Sequence, residues 1–194
     1  MCARAFPKLA RAYFALFEIV FRNHLPHVLA RESHVFLSIV RACHDGISHS
    51  DASLSAQCAA TIDHLASFHF ERGARKREAD APALAALYGH VQAQPDLLTG
   101  LITTLFNQLL FGPPSNHWAV TRPVLPLMLA DERAFSAYRE HLLATQPPDV
   151  RQRLSDAFGK LVADVQRNLE PNNRDRFMQK LSAFRVESRA FITV

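Results

Sequence analysis

The chain has 194 residues, of which 48% are hydrophobic and 21% are charged, a balance typical of globular domains and unlike disordered chains or coiled coils. Its six glycines stand singly, so the clustered glycines of dinucleotide- and nucleotide-binding loops are absent and those protein classes are excluded. The formal net charge of +4, from 22 basic and 18 acidic residues, is too small an excess to indicate a nucleic-acid-binding protein.

The cysteines and the most apolar stretch of the sequence indicate which cellular compartment suits the chain. The three cysteines, Cys2, Cys43 and Cys58, are odd in number and form no Cys-x-x-Cys pair, which favours a reducing compartment over a disulfide scaffold. Cys43 and Cys58 lie within apolar stripes and are expected to act as small buried hydrophobic residues. Residues 14–21 carry Glu18 and lack a small-residue cleavage site, so we expect neither a membrane span nor a signal peptide.

The first part of the chain is predicted to contain three amphipathic helices, because apolar residues recur at three- and four-residue steps. These apolar stripes lie in residues 9–21, 35–43 and 54–68. Pro26 is expected to end the first helix and Gly46 the second. Ser50 and Asp51 have short oxygen-bearing side chains that can accept from the first free amides of a helix, so they predict the start of the third.

A polar stretch at residues 71–81 is predicted to be a loop, since it has no apolar period and contains a glycine. Four basic residues of this stretch form a candidate partner-binding cluster: Arg72, Arg75, Lys76 and Arg77. Cationic side chains close together raise the local potential, which would suit a localisation signal or an acidic partner. A solvated connection between helices is the alternative.

Beyond this stretch the sequence predicts further helices and no strand. The clearest apolar stripe lies in residues 97–110, and a shorter apolar segment at 118–129 is expected to be kinked by Pro123 and Pro126. The other helices are predicted to begin near Pro82 and to occupy residues 131–145, 154–169 and 177–184. No segment shows sustained two-residue alternation, so about nine helices and no sheet are expected.

The predicted fold class is all-α, with HEAT-like antiparallel helix pairs stacked as a short α-solenoid. Two helices and their connections occupy roughly 40–47 residues, the length of a HEAT or armadillo unit. Residues 1–194 would then form a single segment in which each pair covers the apolar face of the next. A compact helix bundle is the alternative, which helix spacing alone does not exclude.

The first helix carries apolar side chains on more than one face, and a helix of this kind is normally buried on most sides. At the end of a stacked array, one of those faces would stay uncovered. We expect Phe14, Phe17 and Phe21 to form this exposed repeat edge, which would self-associate or require preceding repeats.

No catalytic residue, metal ligand or cofactor-binding residue is predicted. Among the ten histidines, His24 and His27 flank a proline, where helical geometry fails. His64 and His69 are five residues apart and lie on different helix faces. Neither a Gly-x-Ser-x-Gly elbow nor a His-Glu-x-x-His motif occurs, so we expect no enzyme and no cofactor.

Short strings of residues, in a fixed order along the chain, are more specific than the helical spacing. They are Pro7-Lys8-Leu9, Ser33-His34-Val35, Asp45-Gly46-Ile47, Cys58 with Asp63-His64-Leu65, Asn116 to Ala130, Arg167-Asn168-Leu169, Asn173 to Phe177, and Leu181 to Arg185. In the same order, they resemble the C-terminal part of the exportin-7-like nuclear transport receptors of the importin-β, or karyopherin, superfamily.

The resemblance implies a HEAT-repeat superhelix that shuttles through the nuclear pore and carries protein cargo between nucleus and cytoplasm under control of the GTPase Ran. Protein cargo, Ran and nuclear pore proteins would be its partners, with no nucleic acid. Receptors of this family are several times longer, so the main Ran contacts are expected outside this chain. Residues 186–194 do not resemble the family's C-terminus and are expected to be a divergent tail. A helical adaptor or scaffold without transport activity, or a gene-model fragment, is the alternative.

Overall fold

The computed structural model describes residues 7–75, 78–113 and 117–192. Its helices are α1 (Pro7–Leu29), α2 (Ser33–Ile47), α3 (Ala52–Arg75), α4 (Ala81–Ala93), α5 (Leu97–Phe111), α6 (His117–Thr121), α7 (Val124–Ala130), α8 (Glu132–Ala144), α9 (Pro148–Val162) and α10 (Pro171–Arg189). A 3-10 turn, Glu78–Asp80, precedes α4. These described ranges contain no strand, as the helical spacing predicted.

The helices pack in series, as in a short solenoid. In one row α3 lies between α1 and the pair α6 and α7, while in the other row α5 lies between α2 and α8. At the far end α10 packs against α9 and α5. A contiguous core of buried side chains runs from Ala10 in α1 to Phe184 in α10. The predicted all-α fold of stacked helices is confirmed.

Helix α1 extends past the proline that was expected to end it. Its backbone leaves the helical region at His24 (φ −134°, ψ 22°) and then resumes to Leu29 with Pro26 inside the helix. Proline removes one backbone hydrogen bond and crowds the preceding turn, which accounts for a kink. Leu25 and Leu29 are buried beyond the kink, so apolar burial holds the last turn in place.

The predicted loop at residues 71–81 is wrong for most of its length, because α3 continues to Arg75 and α4 starts at Ala81. Glutamate and arginine are good helix formers, so a polar sequence extends a helix whose preceding turns are buried. Asp80 accepts from Arg72 Nη1 at 3.0 Å and ties the end of α3 to the turn that follows.

Two further predictions about helix ends need correction. The segment 118–129 is two helices, α6 and α7, separated around Arg122 and Pro123, rather than one kinked helix. Helix α9 ends at Val162 instead of continuing to residue 169, since Asp164 takes a positive φ of 59°. Asn173 then holds the connection 163–170 by donating from Nδ2 to the carbonyls of Gln166 (2.8 Å) and Asn168 (2.7 Å).

Side chains near helix ends satisfy backbone groups that would otherwise lack partners. Asp51 accepts from the amides of Ser53 and Leu54 at the start of α3, as predicted. At the far end of α5, Arg185 donates to the Leu109 carbonyl (3.1 Å) and Arg189 to the Gly112 carbonyl (2.9 Å). Cations are favourable at a helix C-terminus, so α10 is fixed against α5 by charge as well as by apolar contact.

Candidate functional site

Of the four basic residues predicted to form a partner-binding cluster, the structure gives one a local partner. Arg72 pairs with Asp80 at 3.0 Å, so its charge is used between the end of α3 and the following turn. The side chain of Arg75, together with Lys76 and Arg77, lies outside the described residues.

The exposed repeat edge consists of different side chains from those predicted. Phe14, Phe17 and Phe21 are all buried, which makes the prediction of an edge at these three rings wrong. They lie on the face of α1 that packs on α3, and the sequence alone did not say which of two apolar faces turns inward. The exposed apolar side chains of α1 are instead Leu9, Tyr13, Leu16 and Ile19, here called the α1 outer stripe.

A cleft of about 750 Å³ opens between α3, α6, α7 and α10. It is called the central cleft below, and its volume falls in the range of about 300–1,000 Å³ that is usual for ligand sites. Its lining residues are Asp63, His64, Ser67, Trp118, Arg122, Leu125, Leu169, Pro171, Arg174, Asp175, Phe177, Met178 and Gln179.

A buried carboxylate organises the polar side of the central cleft. The Asp63 side chain is 4% exposed, and its two oxygens accept from Arg122 Nε (3.1 Å) and Arg174 Nη1 (2.9 Å). Arg174 also donates to Ser67 Oγ at 2.7 Å. The carboxylate thus joins α3, the α6–α7 connection and α10. Asp63, Arg122 and Arg174 belong to three different strings that carry the family resemblance. In the sequence, Arg122 lies 59 residues and Arg174 lies 111 residues from Asp63.

Two large side chains of the cleft face solvent. Arg122 is 61% exposed and Trp118 is 56% exposed, while Leu125 and Phe177 behind them are buried. Arginine and tryptophan are enriched among the residues that dominate protein–protein binding energies. Burial lowers the pKa of the neighbouring His64 below its usual value near 6.5, so this ring is neutral at pH 7. The arrangement is suited to binding a protein segment.

A serine–histidine pair elsewhere in the chain has a structural explanation. Ser33 Oγ lies 2.8 Å from His90 Nδ1, and His90 Nε2 lies 2.9 Å from the Leu29 carbonyl oxygen. Since a carbonyl only accepts, Nε2 carries the proton and Nδ1 accepts from the serine hydroxyl. The imidazole is buried and stacked on Phe36, with ring centroids 4.5 Å apart. This pair fastens α2, α4 and the end of α1 together.

The two cysteines of the described region, Cys43 and Cys58, are buried as predicted. A hydrogen bond with the Cys43 thiol, together with burial, raises the pKa of Cys58, which keeps this thiol protonated. Within residues 7–75, 78–113 and 117–192, no three histidine, cysteine or acidic side chains come together in a way that could hold a metal ion. In the same ranges, no helix has the length and apolar character needed to span a bilayer.

Comparison with known proteins identifies relatives across nearly the whole chain. Exportin-7-B of Xenopus laevis is 32% identical over 186 residues, and Ran-binding protein 17 of Homo sapiens is 31% identical over 185 residues. Ran-binding protein 16 of Drosophila melanogaster is 25% identical over 189 residues. No protein-family model and no solved structure matches the chain.

The matches cover the chain far better than they cover the relatives. The alignment with the frog protein includes 94% of this chain and 17% of exportin-7-B, and the human alignment includes 92% and 17%. The chain therefore spans about a sixth of the length of these curated relatives. Over nearly its whole length it is homologous to one segment of the proteins named exportin-7 and Ran-binding protein 16 and 17, as the ordered strings predicted.

Proposed function

We propose that the chain is a C-terminal HEAT-repeat segment of an exportin-7-like nuclear transport receptor, and that it contributes to protein export from the nucleus through cargo- and Ran-dependent binding. The observation that carries the proposal is the 32% identity to exportin-7-B over 94% of the chain. Stacked helices support it, because such arrays present extended binding surfaces. The names of the relatives describe export and Ran binding rather than a chemical reaction.

The proposed partners follow from the same relationship. They are protein cargo, nuclear pore proteins, and Ran bound through the complete receptor, whose main Ran contacts would lie outside this chain. A protein with these partners would shuttle between nucleus and cytoplasm. The basic residues Arg72, Arg75, Lys76 and Arg77 remain a candidate contact within this proposal.

Residues 1–194 are proposed to act as a single segment, with residues 186–194 as a divergent tail. The contiguous core from Ala10 to Phe184 supports one segment.

We further propose that the α1 outer stripe is the junction with a preceding repeat of the receptor. Its four exposed apolar side chains lie on the first helix of the array, where a preceding helix pair would pack.

A chimaeric receptor tests the proposed function. The segment of Xenopus exportin-7-B that aligns with this chain is replaced by the chain, and nuclear export of a fluorescent cargo is measured in permeabilised cells with and without Ran-GTP. We expect Ran-dependent export by the chimaera. The matched control carries Leu16→Glu and Ile19→Glu in the outer stripe, which should separate the segment from the repeat before it.

The outcomes distinguish transport from the adaptor alternative. A folded chimaera that binds neither cargo nor Ran would contradict the transport proposal. A chimaera that loses export while the isolated chain still captures a protein partner would favour a helical adaptor or scaffold without transport activity.

A further inference from the structure

We propose that the central cleft binds an extended peptide segment that carries an acidic side chain next to an aliphatic one. The acidic group would contact Arg122, and the aliphatic group would lie against the accessible apolar side chains of the cleft, Trp118 and Met178. The inference rests on the proposed function only in taking the partner to be a protein, and it names the chemistry of that partner.

Arg122 is held in an orientation that leaves it able to bind a carboxylate. Its Nε donates to buried Asp63 at 3.1 Å, which restrains the side chain. Across the described residues, Nε is the one nitrogen of Arg122 with a hydrogen-bond partner, and the side chain is 61% exposed. The two terminal nitrogens form a planar fork that matches the two oxygens of a carboxylate. Because Asp63 already limits its rotation, Arg122 loses less freedom on binding.

The positive charge of Arg122 itself, rather than the net charge of the cleft, favours an acidic ligand, because Asp63 and Asp175 together balance Arg122 and Arg174. Asp63 is shared by Arg122 and Arg174, so these three groups together carry one net positive charge. His64 is neutral at pH 7 because burial lowers its pKa. The opposing group is Asp175, which is exposed on α10 and lines the same cleft. Asp175 should therefore weaken binding of an acidic segment. Neutralising Asp175 should strengthen that binding, which is the opposite of the effect expected for neutralising Arg122.

Beside the polar Ser67 and Gln179, the cleft has apolar side chains that select against a purely ionic ligand. Trp118 presents an exposed ring, while Leu125 and Phe177 are buried and Met178 is half-buried. A nucleic acid backbone has charge but no aliphatic group to cover these side chains, and it would bring several phosphates near Asp175 where the peptide brings one carboxylate. A peptide with an acidic residue next to an aliphatic one can bind Arg122 and cover the apolar side chains of the cleft at the same time.

Trp118 is the single tryptophan of the chain, so intrinsic fluorescence reports on the cleft directly. The complete chain is titrated with a short blocked peptide in which one aspartate lies between two leucines, and with the same peptide carrying asparagine instead. We expect a saturable fluorescence change and about tenfold tighter binding of the acidic peptide. Arg122→Gln should abolish this preference, and Asp175→Asn should strengthen binding by about twofold.

Equal binding of the two peptides, or binding of neither, would overturn the inference. The same conclusion would follow if Asp175→Asn left the affinity unchanged, which keeps the test valid where Arg122→Gln disturbs the fold. Circular dichroism of each variant separates lost binding from lost structure. Competition by a short oligonucleotide at lower concentration than the peptide would also contradict it. None of these titrations contains Ran or cargo, so their failure leaves the transport proposal untouched.

Discussion

Gly46 allows α2 and α3 to approach closely at the level of a single residue. A methyl group at this position would lie 2.3 Å from the Cys58 sulfur and 3.2 Å from Leu54 Cδ2. Both neighbours are buried, so neither side chain has open space to move into. The glycine is therefore required by packing, although its position in a helix costs intrinsic helical stability.

Gly46→Ala should lower the free energy of unfolding by about 1–2 kcal/mol, because overpacking exceeds the gain in helix propensity. Gly159→Ala is the matched control, since a methyl group at that position in α9 meets no atom within 4 Å. The control should be stabilised by up to about 1 kcal/mol in urea denaturation. Equal effects of the two changes would contradict this reading of Gly46, and Cys58→Ala in the Gly46→Ala background should recover much of the loss.

Asp63→Ala should destabilise the chain by about 3 kcal/mol, because it removes the acceptor from two arginines. Arg174 is 24% exposed, so much of its charge would be left inside the fold without a counter-charge. Glu187→Gln provides the comparison, as the Lys160–Glu187 pair is well exposed, and it should cost at most about 1 kcal/mol. Thermal and urea unfolding measure both variants. A cost for Asp63→Ala as small as that for Glu187→Gln would refute a structural role for the buried cluster.

Stability should fall on acidification below pH 6.5 because of His69. Burial lowers the pKa of this imidazole in the folded state, while nearby Asp131 partly opposes the shift. In the unfolded chain the ring has its ordinary pKa of about 6.5, so between the two values the unfolded state binds more protons. Well above pH 6.5 the ring is neutral in both states and contributes no slope.

The measurement is urea denaturation from about pH 7.5 down to about pH 5.5, where His69 and His64 both add to the slope because burial lowers the pKa of each ring. His69→Gln should flatten the decline. A parallel decline in the parent chain and the variant would assign the effect to other groups.

Among the helices, apolar spacing located the elements but not their ends. The stripes could be predicted because each helix buries one face. The resulting three- and four-residue spacing of apolar residues can be recognised within a short stretch of sequence. The ends depend on contacts distant in sequence. Burial of Leu29 carries α1 past Pro26, and the left-handed backbone of Asp164 stops α9. Neither the burial of Leu29 nor the backbone conformation of Asp164 can be recognised from the neighbouring sequence.

The same limit applies to the central cleft. Asp63, Arg122 and Arg174 each lie within strings that revealed the family resemblance, yet nothing in the sequence showed that they meet. Their contact requires α10 to come back to α3 across 111 residues. Likewise, the two apolar faces of α1 could be seen, but only the packing on α3 distinguishes the buried one.

The α1 outer stripe should drive self-association of the isolated chain. Leu16 and Ile19 are each more than half exposed on the first helix, and contiguous exposed apolar area of this kind favours burial against another surface. A Leu16→Glu, Ile19→Glu double variant should be monomeric at concentrations where the parent chain associates, with an unchanged unfolding midpoint. Sedimentation velocity and thermal unfolding test both statements.

The comparison variant is Phe14→Glu, Phe17→Glu on the buried face of the same helix. It should unfold the chain, since it places two carboxylates in the core. A parent chain that stays monomeric at high concentration would show that the outer stripe is ordinary surface, and the proposed junction with a preceding repeat would then lose its physical support.

For the whole molecule, the long contact between Asp63 and Arg174 adds to the solenoid pattern. In an ideal solenoid each repeat contacts its neighbours alone, and unfolding can begin at either end. Here α10 is fixed to α5 by Arg185 and Arg189 and to α3 by Arg174. These ties couple the last helix to elements early in the chain, so the segment is expected to unfold as one unit rather than repeat by repeat.

A cooperative segment need not contain every binding site of the receptor to which it is related. This chain spans 17% of exportin-7-B, and under the proposed function the main Ran contacts would lie in other parts of the receptor. The isolated chain should therefore bind Ran weakly or not at all, with no preference between the GTP and GDP forms. Titration of labelled Ran in each form measures this, with human Ran-binding protein 17 as the positive control. Sub-micromolar binding selective for GTP would locate Ran contacts within these helices, and the central cleft and the α1 outer stripe would be the first surfaces to mutate.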